Sequence, residues 1–314
     1  MSDKIRRFRM DFVQKIVSVD EKSRRFTAIL EPDPHRYEWK EREGERYLYD
    51  KFDDVYFPEQ AYFESFKQII GKPVYFQPQK IDDAEAYIKS RRPLITDMLE
   101  GHEHPPTFED KSEEFLQSLF VNKLAFVIIS VDIVGSTKLA TATDLKTYAR
   151  LISTVLYELS EIIPKFHGHV LKYTGDGLIA YFPEPSFITK NDLAIDCALT
   201  LRGVIYKALN PIFEEGGFPT IDIRIGLDAG EAYVETIGSP ETKQHKDIIG
   251  AVVSLAAKIQ ARAKPGEIYL GDTTERNLHT MWRQICESVD LGKDWDYRDL
   301  DGNVYKVYRV KLVQ

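Results

Sequence analysis

The chain has 314 residues, 43% of them apolar and 29% charged, with a net charge of −8. This is the make-up of one large or two ordinary globular domains, and the acidic balance excludes a long nucleic acid as the main partner, though not a small anion met by locally gathered positive charge or metal. Cys197 and Cys286 are too few for a disulfide framework or a cysteine zinc site, while the charged start MSDKIRRFRM lacks a following apolar core and the run Leu124–Val134 is short and broken by Asp132, so neither a signal peptide nor a membrane span is expected and the protein reads as cytoplasmic.

In chain order, residues 1–100 read as a small α+β or β-rich domain. Met10–Val19 and Arg25–Leu30 have strand character on either side of the turn-like Asp20-Glu21-Lys22-Ser23. Phe57–Ile70 reads as a helix, Lys72–Gln77 as a strand and Asp82–Ser90 as a helix. No catalytic constellation stands out there. The pairs Asp53-Asp54 and Asp82-Asp83 read as solvated loop or helix-start residues, and Tyr47, Tyr49, Tyr56, Phe57, Tyr62 and Phe63 as a small aromatic core. A regulatory or dimer-supporting role is the default for such a domain. Residues 101–123 form a linker and a short helix, Ser112–Val121. Within the linker stretch GHEHPPTFED, His102 and His104 have no third metal ligand nearby in sequence and read as loop residues.

From Leu124 the texture changes. Leu124–Ile133 is a nearly continuous apolar run, as expected of a central strand buried on both faces. Gly135-Ser136-Thr137 opens a helix with a hydroxyl available for its N-cap, and helical periodicity then runs through Leu145–Phe166. His169–Tyr173 and Leu178–Phe182 flank the tip Thr174-Gly175-Asp176-Gly177, a β-hairpin signature. Asn191–Leu209 is helical, Ile221–Leu227 a strand, Ala251–Arg262 a helix ended by Lys264-Pro265-Gly266, Glu267–Leu270 a strand and Val304–Val313 a last strand. Interleaved strands and helices around one sheet fit an α/β or α+β class with a βαββαβ core; the expected fold is α+β, a ferredoxin-like domain over residues 124–314 preceded by the small domain.

Two carboxylates stand out. Asp132 ends a core strand, where an ionised group is costly unless paired or bound to a cation, and Asp176 sits between two glycines at a hairpin tip that a ferredoxin-like sheet places alongside. Two such groups facing one gap repel each other, and Mg²⁺ or Mn²⁺ relieves that repulsion. The helix start beside Asp132 offers backbone N–H groups to phosphate. A capping role for Asp132 and a plain turn role for Asp176 are the simpler alternatives.

The blocks SVDIVGSTKLA (130–140), LKYTGDGLIAYF (171–182), IDIRIGLDAGEAYV (221–234) and KDIIGAVVSLAAKIQARAKPGEIYL (246–270) occur in this order and together resemble the catalytic domain of class III nucleotidyl cyclases over residues 124–313. The resemblance implies that Asp132 and Asp176, with the backbone carbonyl of Ile133, hold two Mn²⁺ or Mg²⁺ ions, and that Ile133, Val134, Gly135, Ser136 and Thr137 cradle the triphosphate. The ribose 3′-hydroxyl would attack the α-phosphorus in line, with pyrophosphate leaving. Lys172 and Asp247 fall at the base-reading positions, Ser254 where the family's ribose-orienting asparagine stands and Lys258 where its transition-state arginine stands. Asp301 replaces the usual phosphate-binding lysine, for which Lys293 or Lys306 could substitute. Family members act as dimers with composite sites, so a homodimer is implied. The departures and the compact architecture resemble the pyrimidine cyclases of bacterial Pycsar phage defence. The expected product is therefore cUMP from UTP, or cCMP from CTP, as a second messenger read by a separate effector protein. Adenylate cyclase is the alternative, since Lys172 and Asp247 also suit adenine, whereas guanine-using members carry a carboxylate at the position of Lys172. A catalytically silent nucleotide sensor is the alternative of another class. A two-metal phosphodiesterase or nuclease would need metal-binding histidines, and His167 and His169 fit a turn and a strand better. Tyr173, Phe126 or Tyr181 would fill the space left by a smaller base.

Overall fold

The computed structural model describes residues 10–20, 25–67, 80–102, 104, 111–119, 123–183 and 190–312. The chain divides into two compact units, one of residues up to Pro78 together with His279–Gln284, the other of Gln79–Leu278 and Ile285–Gln314. The division falls before the stretch 80–100, which belongs with the larger unit.

In the smaller unit, β1 (Phe12–Asp20) and β2 (Arg25–Pro32) form an antiparallel hairpin, while β3 (Tyr37–Arg42), β4 (Glu45–Asp50) and β5 (Val55–Pro58) form a meander followed by α1 (Glu59–Lys67). Strand alternation sorts the aromatic residues. Leu48, Tyr37 and Tyr62 are buried with Trp39 and Phe57 packed against them, whereas Tyr49 and Tyr56 pair on the other face with ring centroids 4.6 Å apart. Phe63 is largely exposed, so the aromatic set is only in part a core. Asp53 is not a solvated loop residue. It pairs with the buried Arg36 and with Arg283, while Arg36 also binds Asp11 and Asp50. A buried guanidinium persists because three carboxylates share it. The expected strand Lys72–Gln77 lies outside the described residues.

The larger unit begins with α2 (Ala84–Glu100), capped by the Asp83 carboxylate on the Ala86 N–H at 3.0 Å. It runs ten residues past the expected end and through Pro93 because Ile88, Arg91, Ile95 and Leu99 form one buried face. On it, Arg91 grips the buried Glu158 with two hydrogen bonds of 2.8 Å; burial pushes that carboxyl upward against the pull of the arginine. There follow α3 (Ser112–Ser118), β6 (Lys123–Val134), α4 (Ser136–Ala142), α5 (Leu145–Ile162), β7 (His169–Tyr173) and β8 (Leu178–Phe182). Next come α6 (Lys190–Val204), a π-helical turn over Ile205–Leu209, α7 (Asn210–Glu215), β9 (Asp222–Gly238), β10 (Gln244–Ile249), α8 (Ala251–Arg262), β11 (Ile268–Gly271) and α9 (Asp272–Arg276). The helical turn α10 (Thr280–Arg283) belongs to the smaller unit, and β12 (Cys286–Val289) and β13 (Val307–Val310) complete the chain.

Among the described residues these strands make an eight-stranded sheet in the order β12-β13-β11-β9-β6-β8-β7, with β10 on the far half of β9. The segment β9-β6-β8-β7 is the ferredoxin-like order, with the first strand, β6, at its centre between antiparallel neighbours. Residues Phe126–Val131 of that strand are buried. Strand β9 is much longer than Ile221–Leu227, since Gly226 and Gly230 are not turn residues. A Cβ at Gly226 would lie 2.3 Å from the Gln260 nitrogen and 2.4 Å from the Ala256 carbonyl, so glycine there lets α8 lie on the sheet. Strand β13 is shorter than expected, and Val304 instead bridges Arg298.

Candidate active site

Register puts the two carboxylates at one end of the sheet. Val131 pairs with Leu178, so the tip of the β7–β8 hairpin lies beside Asp132. The tip is closed by the Thr174 N–H donating to the Gly177 carbonyl at 2.9 Å, with Gly175 at φ +84°. A Cβ on Gly177 would stand 2.2 Å from the Val131 carbonyl oxygen and 3.2 Å from the Asp132 Cα. Only glycine permits this approach, and it carries Asp176 to the end of β6. Beyond Asp132 the chain continues through the buried Ile133 and half-buried Val134, then turns at Gly135 (φ +72°) into α4. No side chain caps that helix. The expected hydroxyl cap is absent because Ser136 and Thr137 already lie inside the first turn and glycine occupies the cap position.

Arg224 and Gln260 complete this end. Arg224 pairs with Asp132 across the β6–β9 ladder, and its Nε and Nη2 donate to Asp132 Oδ2 at 3.1 and 2.8 Å. Gln260 Nε2 donates to the same oxygen at 3.3 Å. Neither residue was picked out from the sequence. Arg224 stands between the buried Ile223 and Ile225, and only the pairing of residues 92 apart shows its partner. The one legible signal for Gln260 was a polar group on the apolar side of α8. An arginine drawn onto Asp132 marks a carboxylate that attracts a cation. The donors gathered here, two carboxylates and strand-end carbonyls, are all oxygen, which suits Mg²⁺ or Mn²⁺.

A second cluster joins β7 and β10. Lys172 Nζ donates to Asp247 Oδ2 at 2.6 Å, and Asp247 Oδ1 accepts the Ile248 N–H at 2.8 Å. The aspartate is buried and the lysine 41% exposed, so the pair sets a donor beside an acceptor. His245 Nε2 lies 4.0 Å from the same carboxylate, and its buried Nδ1 has no hydrogen-bond partner among the described residues. Tyr173, next to Lys172, is 55% exposed. Phe126 and Tyr181 are fully buried in the core and cannot line a base pocket. His169 stacks between Phe115 and Tyr181, consistent with a strand residue.

Ser254 and Lys258 lie on an exposed stripe of α8 opposite its buried Val252, Ala256, Ile259 and Gln260. Among the described residues their side chains make no hydrogen bond or ion pair, with Asp132 or otherwise. Asp301 is in an exposed turn, and Lys293 and Lys306 are also exposed.

Residues 123–293, more than half of the chain, match the model of the adenylate and guanylate cyclase catalytic domain, and the chain belongs to that family. Relatives carry different base names. The putative adenylate cyclase 3 of Rhizobium meliloti (strain 1021) is 27% identical over 165 residues, 52% of this chain and 25% of that protein. The cytidylate cyclase of Escherichia coli is 28% identical over 160 residues, 48% of this chain and 35% of its own. The uridylate cyclase of Rhodovulum sp. (strain MB263) is 25% identical over 187 residues, covering 56% and 75%. The chain thus spans about a third or less of the first two relatives. Among solved structures, the adenylyl cyclase CyaB from P. aeruginosa shares the fold at 23% identity and a TM-score of 0.53, over 62% of this chain and 98% of that one.

Proposed function

We propose that this chain converts a nucleoside triphosphate into its 3′,5′-cyclic nucleotide and pyrophosphate. The observation that carries the reading is the Asp176 hairpin tip held against Asp132 by the contact of Gly177 with the β6 backbone. Asp132 and Asp176, with the Ile133 carbonyl, would hold two divalent ions, Mn²⁺ or Mg²⁺. When bound, such ions acidify the ribose 3′-hydroxyl and offset charge on the departing pyrophosphate.

The remaining work falls to the chain itself. Arg224, which in this structure donates to Asp132, would be free to offer its planar fork to two phosphate oxygens if a cation took its place on that carboxylate. The backbone from Ile133 through Val134, Gly135, Ser136 and Thr137 lies next to Asp132 and offers N–H donors to the triphosphate. Lys172 and Asp247 read the base edge together: the ammonium donates and the carboxylate accepts. Ser254 and Lys258 are exposed on α8, away from its buried face, as groups that serve a second copy's site would be. In a head-to-tail homodimer the Ser254 hydroxyl orients the ribose and Lys258 meets the α-phosphoryl group as a point charge.

A donor beside an acceptor matches an edge of uracil, cytosine or adenine, so the size of the pocket decides among them. Relatives named cytidylate and uridylate cyclase support a pyrimidine substrate, UTP or CTP. The product would then act as a second messenger on a separate effector, in the antiviral setting of the branch this chain resembles. The adenylate relative supports ATP as the second reading. Replacement of either metal carboxylate is the test of mechanism. Asp132→Ala and Asp176→Ala are expected to lower turnover at least about a thousandfold with an unchanged circular dichroism spectrum. Near-full turnover in either variant would end the two-carboxylate mechanism.

A further inference from the structure

The C-terminal end of α2 carries charge of the unfavourable sign. Asp97 and Glu100 occupy its last residues and no basic side chain stands in its last turn, although the aligned peptide dipoles place negative partial charge at that end. Helix closure then brings in two more ligating groups. Gly101 adopts φ +99°, its N–H turns back to the helix carbonyls, and the His102 N–H donates to the Asp97 carbonyl at 3.2 Å. This reversal lays the following residues over the turn they have just left. His102 Nδ1 lies 2.8 Å from Asp97 Oδ1, and His104 Nε2 contacts Asp97 Oδ2. One ligand atom each from Asp97, Glu100 and His102 lies within 4.8 Å of the others. Read along the chain, His102 and His104 lacked a third ligand; the preceding helical turn supplies two.

We propose that Asp97, Glu100, His102 and His104 bind one first-row divalent transition ion, zinc by the character of the donors. Two imidazoles and two carboxylates are a borderline set at home with Zn²⁺, whereas Mg²⁺ and Ca²⁺ take oxygen throughout. Ligands around tetrahedral zinc stand about 3.4 Å apart, close to the spacing within 4.8 Å that Asp97, Glu100 and His102 already show. A doubly charged ion offsets both carboxylates and the helix end, while neutral imidazoles add no charge of their own. Arg150 does not take this place. Its Nη1 donates to the Leu99 carbonyl at 2.8 Å and satisfies the helix terminus, not the carboxylates. The ion would tie the end of α2 to the chain that leads towards α3. The site is separate from Asp132 and Asp176 and does not rest on the cyclase reading.

The test uses the full chain carrying Asp132→Asn and Asp176→Asn, which removes the carboxylates of the cyclase site, titrated with Zn²⁺ and separately with Co²⁺. One Zn²⁺ per chain is expected, and Co²⁺ is expected to give the strong visible absorption of a four-coordinate nitrogen–oxygen site. Adding His102→Ala and His104→Ala is expected to weaken Zn²⁺ binding at least about a hundredfold, to abolish the Co²⁺ band and to remove the rise in melting temperature that saturating zinc produces in the parent. The shape-preserving Glu100→Gln is expected to weaken binding in the same direction, which separates ligation from any folding defect of the histidine variant. Zinc affinity unchanged by the histidine replacements, or no uptake by the parent at micromolar zinc, would overturn the proposal.

Discussion

Asp228 shows at the scale of one residue how burial sets a titration. It faces the interior of β9 at 1% exposure, accepts the Tyr305 hydroxyl at 2.6 Å, and leaves no room beside Gly271 for a Cβ, which would stand 2.2 Å from its Oδ1. Burial pushes its carboxyl up to about 7, against the pull of the Tyr305 hydrogen bond, and the nearby Asp272 adds to the rise. A folded-state value above the ordinary 3.8 means that the folded chain holds this proton more tightly than the unfolded one. Its contribution to stability is therefore complete below about pH 4 and is lost as the pH rises through 7. Asp228→Asn, which keeps the acceptor for Tyr305, is expected to raise the unfolding midpoint relative to the parent at about pH 8.5 and not at about pH 4. Paired urea titrations at the two values check this, and an equal effect at both would show that ionisation is not the cause. In the sequence, Asp132 and Asp176 stand out by their place at a strand end and a Gly-Asp-Gly tip, and Lys172 and Asp247 only through the family resemblance. Arg224, Gln260 and Asp228 do not stand out in either way, since their meaning comes from partners 92, 128 and 77 residues away.

At the scale of elements, the site depends on two close approaches of backbone. Gly177 lets the hairpin meet β6, and Gly226 lets α8 meet β9. Each added methyl would meet backbone atoms, which cannot rotate aside as a side chain does. Gly226→Ala is expected to cost about 3 kcal/mol of stability, read from the urea midpoint. Gly177→Ala is expected to lower turnover at least about tenfold with a smaller loss of stability, because it displaces the Asp176 tip while most of the sheet persists. Equal losses of turnover and stability in the two variants would contradict the separate roles. The helices and strands flanking these contacts were largely legible: β6, α5, the β7–β8 hairpin and α8 follow from apolar runs, periodicity and the Gly-Asp-Gly tip. Strands β10 and β12 were not, since Gln244–Ile249 opens with polar residues and Cys286–Val289 is four residues long. The end of α2 was misplaced because Pro93 is a local stop signal that tertiary burial overrode.

At the scale of the molecule, the proposed reading divides the site between two chains, with the exposed Ser254 and Lys258 serving the partner's half. If Asp132 serves one chain's site and Lys258 the partner's, a mixture of Asp132→Ala and Lys258→Ala chains contains mixed dimers with one intact site. Activity is expected to recover to about a quarter of the parent's on mixing, from nearly none in either variant alone. No recovery after confirmed subunit exchange would place all the groups of a site in one chain. Among the described residues no helix is long and apolar enough to cross a membrane. The most direct measurement of the central claim incubates the purified protein with Mn²⁺ and, separately, ATP, GTP, CTP and UTP, and quantifies cyclic nucleotide and pyrophosphate. Equal amounts of the two products are expected, foremost from UTP or CTP, and none from the Asp132→Ala/Asp176→Ala chain. The same yield from that double variant, or pyrophosphate released without cyclic nucleotide, would contradict a cyclase built on these two carboxylates.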